Sequence, residues 1–145
     1  MLNFASAVRP AAKKKGCQGF VLTLKTVADG QGYYPDLMLT CAPRGPSRYV
    51  EYNPCFVAEI LSWDTSLRDQ TSKRDRYLKM PTLEQYALVF SDQIRVEVYQ
   101  RRERHWQFLQ YQALEDRLEI TCLREFITLE QIYEDVILEP HADEL

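Results

Sequence analysis

The stretch Cys55-Phe56-Val57-Ala58-Glu59-Ile60-Leu61 carries the reading of the fold. Apart from one acid it is apolar at odd and even positions alike, the pattern of a central strand covered on both faces of a sheet. Ser62-Trp63-Asp64-Thr65-Ser66 then offers turn residues and helix N-cap types, and residues 67–80 have the period and propensity of a helix that Pro81 stops. A buried strand running into a helix predicts an α/β chain.

Upstream, residues 20–27 are β-rich, with Leu22, Leu24 and Thr26 on one face, and Asp29-Gly30-Gln31-Gly32 supplies a turn. Residues 33–41 read as a strand with Pro35 at its start, where a missing N–H is tolerated, and 42–53, with Pro43, Gly45 and Pro46, as a loop. Leu2, Phe4, Ala5 and Val8 have helical spacing before Pro10 and a lysine run, the end of a helix without cap or lead-in, so either further chain precedes it or the helix frays.

Downstream, strands are expected at 86–90, 94–99, 106–111 and 119–123, and the short link Ser91-Asp92-Gln93 makes the first two antiparallel. A helix over 128–136 precedes an acidic tail, 137–145, expected to be loose.

At 145 residues the chain suits one domain, 1–145. With 46% hydrophobic and 27% charged residues it should pack rather than stay disordered. No apolar run approaches the roughly 20 residues of a membrane span, and no signal peptide is recognisable, which predicts a cytoplasmic protein without a membrane partner. Cys17, Cys41, Cys55 and Cys122, far apart and without a CxxC, read as reduced core or sheet residues, and His105 and His141 are too few to suggest zinc. The net charge of −3 argues against a broad DNA-binding face. Two basic clusters, Lys13-Lys14-Lys15 and Arg101, Arg102 and Arg104, read as solvated loops.

Glu59 is the residue that does not fit. A carboxylate inside an apolar strand costs several kcal/mol unless it is paired, protonated or metal-bound. A salt bridge to a buried base, or a strand end open to water, is one explanation. Asp36 offers another, because it opens the apolar stretch 37–39. If the two strands are neighbours, both acids project from one sheet edge, as a hard ion such as Mg²⁺ requires. On the following helix Asp69, Lys73 and Tyr77 stand at i, i+4 and i+8, on one face. An Asp–Lys pair there stabilises a helix by a few tenths of a kcal/mol. A lysine beside a metal-bound water or a scissile phosphate would also stabilise developing negative charge.

The order Tyr34-Pro35-Asp36-Leu-Met-Leu, Val57-Ala58-Glu59-Ile60-Leu61-Ser62, Asp69-x3-Lys73-x3-Tyr77, Leu83-Glu84-Gln85-Tyr86 and Val96-Glu97-Val98-Tyr99 resembles the Uma-type endonucleases of the PD-(D/E)XK superfamily, over about 20–136. The resemblance implies a restriction-endonuclease-like mixed β-sheet flanked by helices, with Asp36 and Glu59 holding Mg²⁺ (or Mn²⁺) and the Ile60 carbonyl as a further ligand. The superfamily lysine two residues after the second acid is Leu61 here, and Lys73 is the position that takes its role, with Asp69 and Tyr77 in support. Family members begin some tens of residues earlier and carry an Asp where Thr23 stands. The expected function is Mg²⁺-dependent hydrolysis of DNA by activated water. The alternative is an inactive nuclease fold that binds nucleic acid or assembles as a homodimer; 94–99 and 106–111 could offer it an aromatic surface, although these strands are expected to face the core.

Overall fold

The computed structural model describes residues 1–21, 24–43, 45–62 and 67–139, with the backbone alone for 67–69. Its elements are α1 (Leu2–Lys15), β1 (Gln18–Phe20), β2 (Thr26–Ala28), β3 (Gln31–Tyr33), β4 (Leu37–Thr40), β5 (Phe56–Leu61), α2 (Leu67–Tyr77), β6 (Gln85–Phe90), β7 (Val96–Arg101), β8 (Trp106–Tyr111), β9 (Arg117–Ile120), β10 (Glu125–Thr128) and α3 (Leu129–Tyr133). Among the described residues, a six-stranded sheet runs in the order β1-β4-β5-β6-β7-β8, and β2–β3 and β9–β10 form separate hairpins.

The sheet is mixed because β5 and β6 pair in parallel while the other neighbours are antiparallel. Parallel neighbours cannot be joined by a tight turn, and α2 makes the crossover. Side chains then alternate between two layers. Leu37, Leu39, Phe56, Ala58, Ala87 and Val89 meet α1, α3 and the β9–β10 hairpin on one face. Met38, Val57, Leu61, Tyr86, Leu88 and Phe90 meet Tyr77, Met80 and Leu83 on the other. The apolar run 55–61 is therefore buried on both sides except at Ile60, near the strand end. Glu59 shares the phase of Val57 and Leu61, so it points at α2, whereas Ile60 points away and is exposed.

Several expectations need amendment. The strand expected over 20–27 is two strands serving two sheets: β1 pairs with β4, and β2 pairs with β3. Thr23 between them lies outside the described residues, as does most of the turn expected over 62–66. The strand expected over 33–41 likewise divides around Pro35, which cannot donate to a ladder. The stretch 119–123 is an end of β9 and a turn, in which Arg124 adopts φ 55°. The tail is tethered at least as far as Glu139, whose N–H donates to the Ser91 carbonyl at 2.9 Å. Residues 140–145 lie outside the described residues.

Arg101 closes β7 instead of lying in a loop and, although exposed, is tied to the protein. Its guanidinium donates to the carbonyls of Leu83 and Met80, both at 2.7 Å, and lies over the Trp106 ring. Strands β7 and β8 turn Val96 and Val98 into the core and leave Phe108 half exposed against Tyr99. No described helix is long and apolar enough to cross a membrane.

The cysteines depart furthest from expectation. They are not scattered reduced core residues: Cys17 is bonded to Cys41 and Cys55 to Cys122. The β1–β4 register, Gln18 opposite Thr40, places Cys17 directly across from Cys41, with Cα atoms 4.2 Å apart. The β9–β10 turn brings Cys122 to the start of β5 across 67 residues of chain. Such proximity arises only from strand pairing, which residue spacing does not display.

Candidate active site

In the antiparallel β4–β5 pair, Leu37 faces Ala58 and Met38 faces Val57, so one further step sets Asp36 opposite Glu59. Directly opposed residues share a face with Cβ atoms about 4.5–5.5 Å apart. Both acids therefore lie on the α2 side of the sheet, at the end where β4 begins. Asp36 Oδ2 accepts the Ile60 N–H at 2.7 Å, which fixes its carboxylate against β5. Its second oxygen accepts no hydrogen bond among the described residues.

Glu59 is 4% exposed and is surrounded by donors. Lys73 Nζ lies 2.8 Å from Oε1, the Tyr77 hydroxyl donates to Oε1 at 3.4 Å, and the Tyr86 hydroxyl donates to Oε2 at 3.1 Å. These contacts explain how the acid is tolerated in the core. The basic partner of the salt-bridge reading is the same lysine that helical spacing nominated. Lys73 and Tyr77, one turn apart on α2, both reach Glu59; the Asp69 side chain lies outside the described residues. Gln70, one turn earlier, donates to the Tyr86 hydroxyl at 2.6 Å and orients it.

Burial, reinforced by the neighbouring Glu59 charge, pushes the Tyr77 and Tyr86 hydroxyls far above the usual phenol range. Both therefore remain protonated and act as donors, not bases. Asp36 adds to the effect on Tyr77, so both carboxylates act on one hydroxyl. Tyr33 and Tyr86 both pack against Tyr77 with ring centroids 5.3 and 4.9 Å away, and the Lys73 amine sits 5.1 Å from the Tyr33 ring.

Leu61, where the superfamily lysine would stand, is buried under α2 and supplies packing. Ile60 meets Asp36 through its amide; its carbonyl role stays with the resemblance. Tyr86, Gln70 and Tyr33 join the site in addition to the residues that sequence spacing nominates. A phenol hydroxyl in an apolar strand needs a buried partner, and that was the available signal for Tyr86.

The donor set suits a hard divalent ion. Two carboxylates are opposed across a strand pair, and one retains an oxygen without a hydrogen bond among the described residues. Among the described residues no third acid or histidine joins them, so water would fill most of the coordination sphere of an ion held there.

A mixed sheet with a parallel central pair and its crossover helix is the architecture of the restriction-endonuclease-like nucleases. The fold matches a crystal structure described as "a putative nuclease belonging to DUF820 from Anabaena variabilis", with a TM-score of 0.71 and 17% identity over 93% of this chain and 76% of that one. The family described as "Uma2: Putative restriction endonuclease" matches residues 2–130, and the chain belongs to it. The "uncharacterized protein slr1290" of Synechocystis is 34% identical over 102 residues, 68% of this chain and 53% of that protein. The chain thus spans about half the length of this curated relative.

Proposed function

We propose that this chain is a metal-dependent nuclease that hydrolyses phosphodiester bonds in DNA. Asp36 and Glu59 would hold Mg²⁺ or Mn²⁺, with the Ile60 carbonyl as the further ligand the family resemblance implies. When bound, such an ion supplies Lewis acidity, polarising a phosphoryl oxygen and making coordinated water a nucleophile at neutral pH. The observation that carries the reading is the Lys73 amine 2.8 Å from Glu59, on the acid that faces Asp36.

An ammonium has three N–H donors, and the Glu59 contact occupies one. Lys73 is 30% exposed, so its remaining donors can meet a phosphate from solvent and stabilise the charge that builds on it. Tyr77 and Tyr86 hold the Glu59 carboxylate meanwhile, so the amine can shift toward substrate without stranding a buried charge. The Ile60 amide does the same for Asp36, fixing one carboxylate oxygen.

The test pairs binding with cleavage. Calorimetric titration with Mn²⁺ should give saturable binding to the wild type and little to Asp36→Ala, and plasmid nicking in Mg²⁺ or Mn²⁺ should disappear in Glu59→Gln and Lys73→Ala. Equal Mn²⁺ binding by Asp36→Ala, or nicking that survives Glu59→Gln, refutes the assignment.

A further inference from the structure

We propose that the four cysteines form a second site, far from the acids: a tetrathiolate centre for a soft divalent ion such as Zn²⁺, interchangeable with the two disulfides. Two cross-links that merely staple strands have no need to touch. Here the sulfurs of different cross-links do, Cys41 Sγ lying 3.7 Å from Cys55 Sγ. The Cys41, Cys55 and Cys122 sulfurs all lie within 4.8 Å of one another, and Cys17 Sγ is bonded to that of Cys41. A tetrahedral zinc site with Zn–S bonds of about 2.3 Å has S···S edges of about 3.8 Å, close to the observed Cys41–Cys55 separation. The ion needs no histidine if Cys17, once freed from Cys41, turns in to join these three thiolates.

The fold holds these sulfurs in place from four separate segments. Cys17 follows α1, where its N–H donates to the Ala12 carbonyl at 2.8 Å beside Gly16 in the left-handed conformation. Cys41 follows β4, and Cys55 immediately precedes β5 with its N–H on the Leu39 carbonyl. Cys122 sits in the β9–β10 turn, which Gln85 anchors by accepting from the Thr121 N–H and donating to the Glu119 carbonyl. Cys17 and Cys55 are buried, whereas Cys41 is exposed and Cys122 partly so, giving an ion and a reductant a way in. Lys13, Lys14 and Lys15 close α1 a few residues from Cys17, cationic charge that offsets a tetrathiolate's negative charge.

The site is separate from the acids. Cys55 and Glu59 are four residues apart on one extended strand, about 13 Å. An ion at the cysteines would tie α1, both ends of the β4–β5 connection and the β9–β10 turn together, a structural role. For the exchange, each disulfide takes two electrons and two protons from a dithiol, which leaves as its own disulfide. The four thiols then release four protons to solvent as four sulfur–metal bonds form.

The chain is reduced with a phosphine, desalted without oxygen, checked for four free thiols and titrated with Co²⁺. The expected result is sulfur-to-cobalt charge transfer in the near ultraviolet with intense visible bands of tetrahedral cobalt, saturating at one ion per chain and bleached by Zn²⁺. Asp36→Ala should show the same spectrum, and the unreduced chain should show none. A reduced wild-type chain that develops no charge-transfer absorption overturns the proposal, a result that depends on no variant folding. So does full absorption in a chain carrying both Cys55→Ser and Cys122→Ser.

Discussion

Breaking the Lys73–Glu59 pair tests whether the two groups act as a unit. Removing one partner of a fully buried ion pair costs about 3–5 kcal/mol, because the other charge is left without compensation. The Glu59 side chain is 5% exposed but that of Lys73 is 30%, so solvent already screens part of the interaction, and two tyrosine hydroxyls still serve the carboxylate in Lys73→Met. The expected loss for Lys73→Met is therefore about 1–2 kcal/mol. Glu59→Gln leaves an amine that can turn to water. In the double variant no charge remains to strand, so the two losses should not add, and a coupling of about 1 kcal/mol is expected. Urea unfolding reads this directly: with m about 2 kcal/mol/M, inside the usual range of about 1–3, Lys73→Met should lower the midpoint by roughly 0.5–1 M. Single-variant losses that sum to the double-variant loss within about 0.3–0.5 kcal/mol would show that the amine and the carboxylate are energetically independent, and would refute this account of how Glu59 is tolerated.

Other consequences follow from the same contacts. Tyr86→Phe removes the donor to Glu59 Oε2 and strands the Gln70 amide; a stability loss of about 1–3 kcal/mol in urea is expected, with the far-ultraviolet circular dichroism unchanged. Gln85→Leu leaves the Glu119 carbonyl and the Thr121 N–H unpaired and should cost about 2–4 kcal/mol; a midpoint equal to wild type would show that Gln85 does not hold the Cys122 turn. Burial raises the Tyr133 hydroxyl from 10.0 to about 12. The native state thus favours the protonated form, so this stabilisation is complete below pH 10 and is lost as pH rises toward 12. Tyr133→Phe should make unfolding midpoints fall less steeply over that interval, and an unchanged slope would contradict the assignment.

The central strand, the helix after it and the acid that breaks the apolar run were all legible along the chain, because burial on both faces and helical periodicity are written in local residue order. Lys73 and Tyr77 could be placed on one helix face by the same arithmetic. The Tyr86 and Gln70 contacts could not, since they depend on α2 crossing back over β6. Neither could the split of 20–27 between two sheets, because each half has the β character of a single strand.

What local order alone determined was the alternation of elements, the identity of the isolated acid and its family likeness, since each is a property of neighbouring residues. Which partners those residues meet was decided by the fold. Strand pairing put Asp36 across from Glu59 and Cys17 across from Cys41, the α2 crossover delivered Lys73, and the β9–β10 hairpin carried Cys122 to Cys55. The physical reason is register: a pairing between strands is a relation between distant positions, selected by the burial of whole faces at once, and no stretch read by itself contains it.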